Sequence, residues 1–188
     1  QSLRRRKPYD NDIRIRNNRI DQFNMSIPHS ELFYSNTINR ARSNYDCFIT
    51  GSDQVWNPDW INDYTSLEFV GRSKQTLSYA ASTGRIHFDE KQRMKLKKAM
   101  ENTQYISIRE KESIPELESL TSKKIEYVLD PTMLLTRNDW NKICSERLIK
   151  EKYLFCYFLG DNENVRKVAR DYARCRKLKL VTLPFLNG

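Results

Sequence analysis

Short apolar runs alternate with longer amphipathic stretches along most of this chain. Residues 45–50 form a run of strand-forming side chains that stops on Gly51-Ser52-Asp53-Gln54. Residues 67–70 and 76–81 read as two more short strands, the second ending at Ser82-Thr83-Gly84. Over 88–103, Leu96, Ala99, Met100 and Thr103 recur at helical spacing opposite a lysine-rich face. A strand at 105–108 ends on Arg109, and Ser113 with Glu116 has the form of a capping box for a short helix over 114–120, where Pro115 is tolerated in the first turn. The strand at 125–129 is stopped by Asp130-Pro131, and Thr136 caps a helix with Trp140, Ile143, Cys144 and Leu148 along one side. Residues 153–159 are apolar without interruption, the pattern of a central parallel strand covered on both faces. Gly160-Asp161-Asn162 follows, then a helix striped by Val165, Val168, Ala169, Tyr172 and Ala173, then a last strand at 178–183.

Two regions lack this rhythm. Before residue 45 the chain is polar and irregular, rich in Asn and Arg, with one short helix expected over 30–42. The stretch 54–65, with two tryptophans, Pro58 and several Asp and Asn residues, reads as a loop. The remaining alternation predicts an α/β fold, a Rossmann-like and mostly parallel sheet with flanking helices. Residues 1–148 are expected to form a first Rossmann-like domain. Residues 149–188 supply only strand, helix and strand, which cannot close a core, so they are expected to begin a second domain that continues past Gly188.

In open α/β sheets ligands gather at the carboxyl ends of the strands. The polar groups there are therefore the candidates. Gly51 allows close backbone approach, Ser52 offers a hydroxyl, and Asp53 a carboxylate able to serve as a base. The alternative is a tight turn in which Ser52 or Asp53 caps the next turn of chain. Arg109 can clamp a phosphate or carboxylate, or pair with Glu110. Gln54, Trp56 and Asn57 can line a sugar site, or Trp56 can pack its own loop. Gly160 and Asp161 open the second unit at a strand end, or start an ordinary helix. Asp130-Pro131 reads chiefly as a strand stop. His29 and His87 fall in unpatterned segments and read as surface residues.

Composition narrows the classes. With 188 residues and 38% apolar content the chain can bury a core. No run approaches the roughly 20 apolar residues of a membrane span. Lys and Arg total 33 against 24 Asp and Glu, a net charge of +9 that favours acidic partners and is compatible with peripheral contact to an anionic membrane. Arg4-Arg5-Arg6-Lys7 reads as a solvated arm, and with no recognised nucleic-acid motif beside it nucleic acid is not an expected partner. Cys47, Cys144, Cys156 and Cys175 are far apart, without disulfide-framework or zinc spacing, and are expected to be reduced, mostly packed thiols of a cytoplasmic protein. No metal ligand set is visible and no cofactor is expected.

Five segments, taken in order, resemble the polysaccharide pyruvyl transferase family. They are Tyr45-Asp46-Cys47-Phe48-Ile49-Thr50-Gly51-Ser52-Asp53-Gln54-Val55-Trp56-Asn57-Pro58, Ser78-Tyr79-Ala80-Ala81-Ser82-Thr83-Gly84, Ile106-Ser107-Ile108-Arg109-Glu110, Val128-Leu129-Asp130-Pro131-Thr132 with Asp139-Trp140, and the run from Tyr153 to Asn162. The resemblance implies a GT-B-like two-domain transferase of which this chain is the middle. The family's first strand would precede Gln1, and its histidine-bearing segment, with the general acid and base, would follow Gly188. It further implies transfer from phosphoenolpyruvate to two hydroxyls of a cell-surface polysaccharide or its precursor, giving a pyruvate ketal. The acceptor is a saccharide, lipid-linked or free. Arg109 and Asp53 would then be the catalytic candidates, and Gly51, Ser52, Gln54, Trp56, Asn57, Gly160 and Asp161 the substrate-binding ones. The competing readings are a nucleotide-sugar glycosyltransferase on the same plan and a basic, non-enzymatic binding module.

Overall fold

The computed structural model of the protein describes residues 10–160 and 162–183. The Arg4–Lys7 cluster and Asp161 lie outside these residues. The chain divides into two compact units, one of residues Glu31–Ile143 and one combining Gln1–Ser30 with Cys144–Gly188. Helix α1, Asp10–Ser26, belongs to the second of these and occupies a stretch where the sequence suggested irregular chain. The pattern failed there because Ile13, Ile15, Ile20 and Phe23 are too sparsely spread among Arg and Asn to mark a clean stripe.

In the Glu31–Ile143 unit a 3-10 turn, Ile38–Arg40, leads into the single-turn helix α2, Ala41–Asn44, in place of the helix expected over 30–42. Strand β1, Cys47–Thr50, follows, and then β2, Gln75–Ala81. Helix α3, Glu90–Asn102, connects β2 to β3, Tyr105–Ile108. Helix α4, Ile114–Glu118, connects β3 to β4, Ile125–Tyr127, and α5, Arg137–Ile143, ends the unit. The four strands are parallel and lie in chain order. Residues 67–70, read as a strand, are instead a 3-10 turn at Glu68–Val70, entered through Leu67 at φ 56° and left through Gly71 at φ 70°.

Sequential parallel order with right-handed crossovers places every connection on the same side of the sheet. The core agrees: Ile106 and Ile108 of β3 and Ala81 of β2 pack with Leu96, Ala99 and Met100 of α3, Leu117 of α4 and Trp56 of the β1–β2 loop. On the opposite face Ile49 and Tyr105 are each 64% exposed, and a cavity of about 600 Å³ lies over Leu77, Tyr79, Ser107 and Val128.

Helix α3 is closed at both ends. Asp89 and Gln92 form a reciprocal capping box at its start. At its end the Lys123 ammonium donates to the carbonyls of Met100, Glu101 and Thr103, an arrangement suited to the negative end of a helix. The capping box expected of Ser113 and Glu116 does not form. Ser113 donates to the Glu110 carbonyl, and Glu116 is drawn away to the Phe88 amide and Arg93.

Strand β2 carries a bulge. Ser78 pairs with Ile106 and Ala81 with Ile108, so Tyr79 and Ala80 together face Ser107, and Ala80 takes φ 50°. Two buried serines close the irregularity. The Ser78 hydroxyl donates to the Ser107 carbonyl and accepts from its amide, while the Ser107 hydroxyl donates to the Ser78 carbonyl and accepts from the Ala80 amide.

The other unit contains β5, Tyr153–Tyr157, and β6, Lys179–Leu183, paired in parallel and joined by α6, Glu163–Cys175. Asn162 caps α6 by accepting from the Val165 amide. The run from 153 was expected to be covered on both faces, yet Phe155 and Tyr157 are about half exposed among the described residues. The thiols are also less packed than expected: Cys47, Cys144 and Cys175 are exposed and only Cys156 is partly covered.

Candidate functional site

The carboxyl ends of β1, β3 and β4 deliver one polar array in the Glu31–Ile143 unit. Arg109, the first residue beyond β3, donates through Nη1 to Asp130 Oδ2 at 3.0 Å and through Nε to Glu110 Oε1 at 3.1 Å. Its Nη2 lies 3.6 Å from Asp53 Oδ1. Ser52 Oγ donates to the same Asp130 Oδ2 at 3.2 Å. Asp130 Oδ1 accepts from the Thr132 amide and hydroxyl at 3.0 and 2.7 Å. The side chains of Arg109 and Asp130 are each 28% exposed, whereas Asp53 is 88% exposed. Partial burial opposes the charge on Arg109, but the hydrogen bonds to Glu110 and Asp130 outweigh it and raise its pKa further.

Local sequence explains why the array forms. Gly51 turns the chain at φ 135° directly under the Tyr79 carbonyl, an approach only a residue without Cβ can make, and the Gly51–Ser52 peptide is cis. The following loop is sewn to the end of β2: Ser82 N donates to the Asp53 carbonyl and Trp56 N to the Ser82 carbonyl, both at 3.1 Å. Trp56 anchors the loop with its indole fully buried in the core. A buried ring has no face for a sugar, so Trp56 serves packing. Asn57, 5% exposed, donates to Gln54 Oε1 at 2.9 Å and accepts from the Asp59 amide. Gln54 and Asn57 rest against Gly84, where a Cβ would come within 2.8 Å of both side chains. The Gln54 and Asn57 side chains thus brace the loop rather than line open space.

Arg109, Ser52 and Asp53 are therefore brought together, with Gly51 beneath them, and Gly51 and Ser52 also border the cavity on the open sheet face. Gly160 belongs to the other unit, where its carbonyl accepts from Arg166 Nη2 at 2.8 Å, and Asp161 is outside the described residues. Two partners of Arg109 are not among the site residues that the sequence singles out: Asp130 reads chiefly as a strand stop, with binding the lesser reading, and Glu110 as a neighbour for Arg109 to pair with. The signal that points to Asp130 is an acidic residue at the end of the strand adjoining the one that delivers Arg109. Glu110 Oε2 is buried and has no hydrogen-bond partner. Among the described residues no group of three or more His, Cys, Asp or Glu side chains is placed to hold a metal ion.

Hydrogen bonds from the Thr132 hydroxyl and amide hold the Asp130 pKa at about 2, below its ordinary 3.8, with Arg109 and Ser52 adding to the effect against partial burial. A depressed folded-state pKa stabilises the fold above the unfolded value and loses that contribution as pH falls. The stability gap between the wild type and Asp130→Asn is expected to shrink as pH drops from 3.8 to about 2. Urea midpoints measured across that interval check it; a gap independent of pH would show that Asp130 does not titrate as placed.

A family model described as polysaccharide pyruvyl transferase matches residues 1–184 of the 188-residue chain. No curated protein and no solved structure matches the chain significantly.

Proposed function

The chain belongs to the polysaccharide pyruvyl transferase family, and from this premise we propose that it takes part in forming a cyclic pyruvate ketal on a saccharide, with phosphoenolpyruvate as donor. In this reaction a proton adds to C3 of the donor and makes the methyl group. One sugar hydroxyl adds to C2 and a second displaces the phosphate, so the two hydroxyl protons balance the one gained by C3 and the one carried off by phosphate. The donor's carboxylate and phosphate call for a fixed cation, and arginine's planar fork suits both. The acid and base that move the protons need positions within hydrogen-bond reach of C3 and the attacking hydroxyl.

The observation that carries the proposal is the meeting of Arg109 with the 51–53 turn at the strand ends, where an α/β sheet receives its ligands. The proposal includes a GT-B-like plan with a second Rossmann-like domain beginning near residue 149, and a cytoplasmic reaction supplied by metabolic phosphoenolpyruvate. No helix among the described residues is long and apolar enough to cross a membrane, so a lipid-linked acceptor would be met at the membrane surface. The test is thermal stabilisation of the protein by phosphoenolpyruvate or by a panel of nucleotide sugars, followed by mass detection of a ketal on the acceptor. Stabilisation by phosphoenolpyruvate is expected; stabilisation only by a nucleotide sugar would replace pyruvyl transfer with glycosyl transfer.

A further inference from the structure

Three carboxylates surround the single Arg109 guanidinium, which leaves the array with formal charge −2 (three negatives, one positive). An anionic donor meets repulsion there unless one carboxylate gives way. The geometry distinguishes them. Glu110 holds Nε at 3.1 Å and Asp130 holds Nη1 at 3.0 Å, and both carboxylates are about 30% exposed or less. Asp53 stands 3.6 Å from Nη2, beyond hydrogen-bond reach, and is 88% exposed. Two of the five guanidinium N–H donors are thus taken, one on Nε and one on Nη1, and Nη2 is the nitrogen left to meet a donor anion.

Asp130 has no capacity left for a ligand. Each of its oxygens accepts two protein donors: Thr132 N and Oγ1 on Oδ1, Arg109 Nη1 and Ser52 Oγ on Oδ2. Whatever it contributes is exerted through Arg109 and Ser52. Ser52 spends its only proton on Asp130, so its oxygen can accept from a sugar hydroxyl but cannot donate to an anion.

We propose that Asp130 is a positioning residue for donor binding: it fixes the Arg109 guanidinium so that Nη2 faces the 51–53 turn, where the donor's anionic group takes the place of the Asp53 carboxylate. The identity of the donor rests on the pyruvyl-transfer reading; the bracing of Arg109 does not.

The test uses the full chain and two isosteric variants. Asp130→Asn keeps an N-cap acceptor for Thr132 but offers Arg109 no carboxylate. Its KM for phosphoenolpyruvate is expected to rise roughly tenfold or more, the loss for a misaligned charge-assisted hydrogen bond. Asp53→Asn is expected to lower the donor KM by removing the competing anion. Nitrogen-15 side-chain NMR reads the brace directly: Arg109 should show slow, resolved Nη rotation in the wild type and lose it in Asp130→Asn. Wild-type donor KM and an unaltered Arg109 spectrum in Asp130→Asn would overturn the proposal. Loss of turnover at unchanged donor KM in Asp53→Asn would overturn the displacement and give Asp53 a part in the chemistry. If the wild type does not use phosphoenolpyruvate yet Asp130→Asn still releases Arg109, the pyruvyl-transfer reading fails and the brace stands.

Discussion

Gly51→Ala is expected to destabilise the Glu31–Ile143 unit by about 3 kcal/mol or more, combining a backbone conformation closed to side chains with an overpacked contact. Gly51 has φ 135°, and an added Cβ would lie 2.9 Å from the Tyr79 carbonyl carbon and closer still to its oxygen. The clash cannot be relieved by a side-chain rotation, because the obstacle is backbone. Nor is that backbone free to retreat, since Tyr79 sits in the bulge that Ser78 and Ser107 stitch together. Urea unfolding followed by tryptophan fluorescence is a suitable probe because Trp56 reports on the same core. A midpoint shift corresponding to less than about 0.5 kcal/mol, the range of inert surface changes, would show that the turn relaxes at little cost.

Arg109→Lys is expected to lower kcat/KM for phosphoenolpyruvate by about 100-fold, equivalent to about 3 kcal/mol of lost charge-assisted hydrogen bonding. An ammonium is a point charge on a flexible stem. It cannot hold Glu110 and Asp130 in the same plane while still meeting a third anion from the direction of Asp53. The half-buried carboxylates would recruit the lysine for themselves, because leaving either unpaired is the costlier arrangement. The donor would then face an acidic patch. Steady-state kinetics with phosphoenolpyruvate as the varied substrate checks this; kinetics matching the wild type would remove Arg109 from donor binding.

The sheet was legible because its signals are local. Residues 105–108 form a strand with the same bounds in sequence and structure, and α3 follows from Leu96, Ala99 and Met100 on one stripe. Helix α1 was not legible, because its apolar residues are too few to set a period and only its backbone reveals it. The site was half legible. Arg109 and the 51–54 turn stand out as polar groups where strands stop. Their interpretation depended on long-range partners: Ser52 and Asp130 are 78 positions apart yet share a hydrogen bond. Spacing along a chain carries no trace of such a pair. Trp56 shows the converse limit, since a loop tryptophan reads alike whether it faces solvent or, as here, anchors the loop from inside the core.

The bulge in β2 governs length as well as shape. Side chains on a strand alternate between faces, and one extra residue reverses that phase for everything downstream. Three steps along β2, from Ser78 to Ala81, are matched to two along β3, from Ile106 to Ile108. Deleting either Tyr79 or Ala80 would leave Ala81 opposite Ile108 but abolish the bulge, and with it the bond from the Ala80 amide to the Ser107 hydroxyl and the fit of the Tyr79 carbonyl over Gly51. The segment between Leu77 and Gly84 can therefore drift in amino-acid identity, within the demands of packing, but its residue count is frozen. In evolutionary terms this is a stretch that accepts substitutions and rejects insertions and deletions.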